Sequence, residues 1–134
     1  MSVIEVSLNE IDDPVFDLTQ LAFQDGMFSL AGYVDLSEGR LLSGRRVVGT
    51  RENENRIGWI RHRLLFRAAG VESFEVDDKA GLGEIILDSI EARPGTIVLT
   101  GVIPCRIELR TTARAWSRLE LGPSLEDRGF EWLQ

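Results

Sequence analysis

Alternation of apolar and polar residues dominates the chain and extends furthest in "GTIVLTGVIPCRIELR". This period of two predicts a half-buried strand in an antiparallel sheet. An unbroken strand of that length would reach about 40 Å at ~3.3 Å per residue, twice the usual length. Pro104 cannot donate to a strand ladder, so we expect an interruption there. The apolar phase consists of Ile97, Leu99, Gly101, Ile103, Cys105, Ile107 and Leu109.

Turn signals divide the rest of the chain into further short strands. "RPG" at Arg93–Gly95 predicts a hairpin with "EIILDSIEA", and "QDG" joins two strands in "LAFQDGMFSLAGYVDL". Turns are also expected at Gly39 and Gly44, before a short strand "RVVGT". About eight to nine strands result, which predicts an all-β, mainly antiparallel fold, either a β-sandwich or a flattened barrel. In "SLEDRGFEWL", Ser124 and the acidic residue three positions later indicate a possible short C-terminal helix.

The segment "RIGWIRHRLLFR", residues 56–67, is compatible with two structures. As a helix it would place Ile57, Ile60 and Leu64 on one face, with Gly70 as its C-terminal cap. As a strand it would turn Ile60, Leu64 and the only histidine, His62, toward the core. We favour the strand, because "LLFRAAGVESFEV" then continues naturally as two strands that meet at a turn.

Length and composition describe an ordinary globular protein. The 134 residues are 43% apolar and 28% charged, which is typical of a soluble chain with one β domain spanning 1–134. Such a domain buries roughly two-thirds of its unfolded surface without disulfides or a structural metal. "MSVIEVSLNEIDD" does not resemble a secretory signal, a single cysteine allows no internal disulfide, and no apolar run approaches the ~20 residues of a membrane span. We therefore expect a cytoplasmic location.

Charge is distributed in blocks. Residues 1–39 hold eight acidic and no basic residues, residues 40–67 hold eight arginines and two glutamates, and residues 68–92 hold seven acidic residues and one lysine. Acidic and basic strands could pair within one sheet, which needs no partner and is the interpretation we prefer. The blocks could equally form a dipole that binds a partner. A net charge of −7 argues against general affinity for nucleic acid or anionic membranes.

Candidate catalytic groups are few. His62 falls on the apolar phase, which favours a packed, hydrogen-bonded ring; the alternative is an enzyme with a small-ligand pocket inside a barrel, using His62 with Asp77 or Asp78 as acid and base. Cys105 shares its phase with two isoleucines, which favours a small buried side chain over a reactive thiol. One histidine and one cysteine cannot form a zinc site, and "VDDKAGLGE" lacks the spacing of a calcium loop and of a dinucleotide fingerprint. We expect no metal and no cofactor, and interpret that segment as a solvated loop.

Arginine and tryptophan share the outward phase of the predicted strands. Arginine suits bidentate contacts with carboxylates, and exposed Trp–Arg patches are typical of protein interfaces. The plainer interpretation is a solvated or acid-paired sheet face. We predict a non-catalytic protein-binding or self-associating module; a structural subunit of a larger assembly is a third possibility. The candidate binding residues are Trp59, Arg61, Arg63, Arg67, Arg106, Arg110 and Trp116.

Overall fold

The structure, a computed structural model, describes residues 4–37 and 59–126. Every strand pairing in it is antiparallel, and two single-turn 3-10 helices, Leu8–Glu10 and Leu18–Gln20, lie between the first strands. The predicted all-β, antiparallel class is confirmed, whereas the turns at Gly39 and Gly44 and the strand "RVVGT" lie outside the described residues. The strands are β1 (Ile4–Val6), β2 (Val15–Asp17), β3 (Ala22–Gln24), β4 (Met27–Ser37), β5 (Trp59–Asp77), β6 (Glu84–Arg93), β7 (Thr96–Gly101) and β8 (Arg106–Glu126).

Six of these strands close into a barrel, so the barrel and not the sandwich is the observed architecture. The order is β8-β5-β4-β2-β6-β7, and β7 pairs again with β8, while β1 adds to β8 and β3 adds to β4 from outside. Three-residue β2 completes the ring by pairing with β4 and β6 at once. A Cβ atom at Gly32 would overlap the carbonyl oxygen of Val15. The barrel therefore closes at this point only because residue 32 has no side chain.

Apolar side chains from all six barrel strands meet in the interior. Phe16, Phe28 and Phe66 are completely buried, and the rings of Phe28 and Phe66 meet edge to face with centroids 6.1 Å apart. Burying each such side chain stabilises the fold by roughly 1.5–3 kcal/mol. Their aliphatic neighbours in this core are Leu30, Val34, Leu36, Leu64, Ile85, Leu87, Leu99, Ile107, Leu109, Leu119 and Leu121.

The arginine-rich segment belongs to one long strand. From Trp59 to Asp77, 19 residues form β5 without a helix and without the turn that we expected in "LLFRAAGVESFEV". At Gly70, with φ of +73°, the backbone forms a bulge, and the register with β8 shifts between Ala69 and Val71. Pairing along most of β8 outweighs the local turn signal, so the strand bends and continues.

The hairpins expected at "QDG" and "RPG" are both present. Asp25 and Gly26 adopt positive φ between β3 and β4, and β6 pairs with β7 across Pro94 and Gly95. The interruption expected near Pro104 is also confirmed, because β7 ends at Gly101 and β8 begins at Arg106.

The C-terminal helix that was predicted to start at Ser124 is not observed there. β8 runs through to Glu126, and the backbone of Ser124 pairs with His62 of β5. The helix-start signal at Ser124 is overridden because this residue lies within the β5–β8 ladder, which continues to Glu126. The remainder of the predicted helix lies outside the described residues.

Candidate functional site

The arginines of β5 mostly have acidic neighbours within the fold. Arg61 lies directly opposite Asp35 of β4, and its Nε and Nη2 donate to the two carboxylate oxygens at 2.8 and 3.0 Å. The Arg61 guanidinium also lies 4.0 Å from the ring centroid of Tyr33. Arg67 forms a longer ion pair of 3.4 Å with Glu120 of β8. Pairing of acidic and basic blocks, the preferred interpretation of the charge distribution, is confirmed at Arg61 and Asp35, whereas Glu120 lies outside the acidic blocks.

The strand register separates the two tryptophans that we expected to form one patch if their strands lay close. The strands do pair, but Trp59 lies opposite Ser37 at the start of β5, whereas Trp116 lies opposite Ala69. Ten positions of strand separate these points, which is about 33 Å along the chain at ~3.3 Å per residue. The backbone positions of Trp59 and Trp116 therefore lie at separate points of the sheet.

The remaining candidate arginines are distributed over both halves of the sheet. Arg63 is exposed on the outer face of β5. Arg106 and Arg110 lie in the half of β8 that pairs with β7, where Arg106 forms a 2.8 Å ion pair with Glu108. The structure thus does not bring the predicted arginines together in a single cluster.

His62 and its proposed acidic neighbours are also far apart. The ring of His62 is half-buried, and its Nδ1 donates to the carbonyl oxygen of Gly122 at 3.0 Å. Asp77 is the last residue of β5, and His62 lies near the start of the same strand. Fifteen positions separate them, which is roughly 50 Å along the chain. Asp78 instead accepts hydrogen bonds from the backbone of its own loop. The acid–base pair of the enzyme alternative is not assembled.

A bulge in β8 creates a groove beside Trp116. Four residues of β8 lie between Thr111 and Trp116, whereas β5 has only Gly70 between their partners Val71 and Ala69, so the extra residues loop outward. They pack over Gly70, where a Cβ atom would lie 2.8 Å from Oγ1 of Thr112 and 3.0 Å from Cα of Ala115. A side chain at residue 70 would displace this bulge, so glycine is required there both for its φ and for the close approach.

The Trp116 groove, as we call it, has a volume of about 490 Å³. One wall is the β8 bulge and the other is the β6–β7 turn, and a hydrogen bond of 3.0 Å from the Thr111 amide to the Gly95 carbonyl joins the two walls. Its lining is mostly apolar or small: Ala92, Arg93, Pro94, Gly95, Ile97, Thr111, Thr112, Ala113, Ala115, Trp116 and Ser117.

One arginine lies over the exposed indole of the groove, and a second lines the groove. Trp116 is 40% exposed, and the guanidinium of Arg118 lies 4.6 Å from its ring centroid while its Nε contacts Glu120 at 2.6 Å. Arg93 lines the groove and pairs with Glu91 at 3.1 Å, and Arg114 is exposed on the bulge. This arrangement can hold an apolar side chain against the indole while the guanidinium groups meet carboxylates.

One end of the barrel carries an exposed apolar surface that the sequence did not reveal. Leu82 is 52% exposed, Val102 is 56% exposed and Ile103 is 39% exposed; we call these three residues the aliphatic tip. Leu82 belongs to the segment we expected to be a solvated loop, and the assignment of Ile103 to the core is wrong. Two sequence features could have indicated this surface: a leucine between two glycines, and two apolar residues directly before Pro104.

Hydrogen bonds order both loops of the aliphatic tip. The carboxylate of Asp78 accepts from the amides of Gly81 and Gly83, at 3.1 and 2.9 Å, on either side of Leu82. In the other loop the Gly101 amide donates to the Cys105 carbonyl at 2.9 Å. The Ala80 amide donates to the Pro104 carbonyl at 3.4 Å and so joins the two loops.

Carboxylates flank the aliphatic tip. Asp17 of β2 lies directly opposite Glu84 of β6, an arrangement of like charges that destabilises a sheet. Hydrogen bonds from the side chain and then the backbone of Thr19 lower the pKa of Asp17, which keeps it ionised. Asp77 and Asp78 lie at the start of the same loop as Leu82, and Lys79 follows them.

Cys105 lies directly before β8 and is 7% exposed, as expected for a small buried side chain. Burial raises the pKa of its thiol, and the charges of Asp78 and Asp77 raise it further. The thiol therefore stays protonated near neutral pH, which opposes a nucleophilic role.

In the described part of the chain, no three His, Cys, Asp or Glu side chains are grouped as metal ligands. None of the helices among these residues has the length and apolarity needed to cross a membrane. Comparison of the chain with protein-family models, with curated proteins and with solved structures gives no significant match.

Proposed function

We propose that the protein is a non-catalytic protein-binding module and that the Trp116 groove is its binding surface. The observation that carries this proposal is a tryptophan left 40% exposed in a mainly apolar groove with arginine at its ring. Tryptophan and arginine are the residues most enriched where protein interfaces concentrate their binding energy. With a net charge of −7, a protein surface is a better partner than nucleic acid or an anionic membrane, and a cytoplasmic partner is expected.

The chemistry of the groove indicates which partner segment it accepts. Pro94 and the alanines of the bulge offer apolar walls beside the indole, so the segment should present an aliphatic side chain. Arg93 in the lining and Arg118 at the indole supply planar donors, and Arg114 is exposed on the bulge, so the same segment should carry carboxylates. We therefore expect binding of short acidic segments that contain leucine, isoleucine or valine.

Intrinsic fluorescence can test this expectation directly. In a variant with Trp59→Phe and Trp132→Phe, Trp116 is the only indole and reports on its own groove. A peptide that combines aspartates with leucine and valine should change the emission in a saturable way. The same peptide with lysine in place of aspartate should not, and high salt should weaken binding of the acidic peptide.

Two arginine substitutions, introduced separately, complete the test. Arg118→Ala should weaken peptide binding at least about fivefold, since it removes the guanidinium at the indole, equivalent to roughly 1 kcal/mol. Arg63→Ala, on the outer face of β5 away from the groove, should leave the affinity unchanged. No response of Trp116 to the acidic peptide, or equal losses in both variants, would contradict the proposal.

A further inference from the structure

We propose that the aliphatic tip of one copy binds in the Trp116 groove of a second copy, so that the protein self-associates head to tail. This inference rests on the proposed function of the groove and names its occupant. Both surfaces belong to the described residues, and they share none of their residues.

The chemistry of the tip matches what the groove accepts. The tip presents three exposed aliphatic side chains, and the carboxylates of Asp17, Asp77, Asp78 and Glu84 accompany them, with Lys79 as the cation of that loop. The Trp116 groove presents apolar walls with Arg93 in its lining and Arg118 at its indole, and Glu91 and Glu120 are the acidic neighbours of these two arginines. Arg114 is exposed on the bulge that forms one wall. Four carboxylates against one lysine meet three arginines against two glutamates, so the two surfaces are complementary in charge as well as in polarity.

Order in the tip lowers the entropic cost of docking. Leu82 lies between two amides that Asp78 holds, and the amide of Val102 donates to the carbonyl of Ile86 at 2.8 Å. Aliphatic side chains on such loops lose little backbone freedom when they bind. Exposure of these aliphatic side chains to water is unfavourable in the monomer. Burial of the side chains against a second copy would remove this cost.

The two surfaces cannot meet within one molecule. β7 ends at the tip with Gly101 and begins beside the groove with Thr96, so a continuous strand holds the surfaces about 17 Å apart at ~3.3 Å per residue. Pairing of β7 with β6 and β8 fixes that separation. A contact between unlike surfaces of two copies is heterologous, and it extends into an open chain or closes into a ring.

Sedimentation of the purified full-length protein over a range of concentrations tests this directly. The wild-type mass should rise with concentration and fall with added salt. A tip variant, Leu82→Lys with Val102→Lys, and a groove variant, Trp116→Ala with Arg114→Glu, should each weaken association at least tenfold. All four positions are exposed, so both variants should fold, which circular dichroism will verify. Arg63→Glu should associate like the wild type.

Mixing the two variants gives the decisive result. The tip variant keeps an intact groove and the groove variant keeps an intact tip, so an equimolar mixture should form a one-to-one dimer and nothing larger. Variants that remain monomeric when mixed, or a tip variant that associates like the wild type, would overturn head-to-tail docking. If the wild type is monomeric throughout while Trp116 still responds to acidic peptides, self-association fails and the proposed function stands. If Trp116 responds to no acidic peptide, the function of the groove fails, and the docking proposal fails with it.

Discussion

Ile103 and Ile107 occupy the same phase of one alternating segment, yet they have opposite environments. Ile107 is completely buried, whereas Ile103 is 39% exposed in the β7–β8 loop. Alternation predicts burial only while the backbone stays extended in a sheet, and the loop around Pro104 ends that condition. Ile103 therefore has the alternation phase of a core residue but forms part of the aliphatic tip.

This difference predicts opposite outcomes for one substitution at two sites. Ile107→Asp buries an unpaired carboxylate and should unfold the protein, because the cost of several kcal/mol is comparable to the ~5–15 kcal/mol stability of a typical domain. Ile103→Asp should change the free energy of unfolding by less than about 1 kcal/mol. Thermal melts of both variants check this, and a large loss at Ile103 would contradict its exposed position.

Cys105, two positions further along, retains the inward phase and should react slowly. Its 7% exposure limits access, and the raised pKa of the thiol keeps the reactive thiolate scarce at neutral pH. A thiol reagent should label denatured protein readily and native protein much more slowly. Because the folded pKa is raised, the native rate should increase only as the pH becomes alkaline. Equal rates in native and denatured protein at neutral pH would show that Cys105 is accessible.

At the scale of elements, the bulge between β5 and β8 has the greatest consequence for the site. Gly70 gives β5 its bend, and the extra residues of β8 fold over it to form one wall of the Trp116 groove. The sequence indicates a glycine and an irregularity here, but not whether the irregularity is a cap, a turn or a bulge. Pairing with a distant strand decides among them.

Substitution of Gly70 by alanine should damage both stability and the groove. The left-handed φ disfavours any side chain by about 1–2 kcal/mol, and contact with Thr112 and Ala115 adds to that cost. Gly81→Ala is the matched control, because its φ of +67° is similar but no atom lies within 4 Å of the new Cβ. Urea unfolding should show a greater loss for Gly70→Ala, and only this variant should shift the emission of Trp116. Equal losses would mean that the bulge does not press on residue 70.

For the molecule as a whole, closure of the barrel depends on a three-residue strand. β2 connects β4 to β6, and without it the sheet would be open between them. The approach of β2 to Gly32 involves backbone atoms on both sides, so neither a rotamer change nor a flexible side chain can relieve a clash.

Gly32→Ala should therefore destabilise the entire fold, by more than about 3 kcal/mol, since overpacking against fixed backbone exceeds the usual cost of an extra methyl group. Gly122→Ala offers a comparison within a strand, because its nearest neighbour would lie at an ordinary 3.4 Å and the carbonyl that accepts from His62 would remain. Thermal unfolding should separate the two variants clearly. A stable Gly32→Ala protein would show that β2 does not approach β4 this closely.

Sequence determined the class of this protein. Period-two alternation, the hairpin turns and the break near Pro104 follow from residue chemistry over a few neighbouring positions, and each is present in the structure. Tertiary structure alone decided that the sheet closes into a barrel, that the backbone positions of Trp59 and Trp116 lie at separate points of the sheet, and that Leu82 and Ile103 meet solvent at one end. The physical reason is that alternation describes only which face of its own strand a residue takes. The register between β5 and β8, like the contact of β2 with two strands, instead depends on residues far apart in the chain.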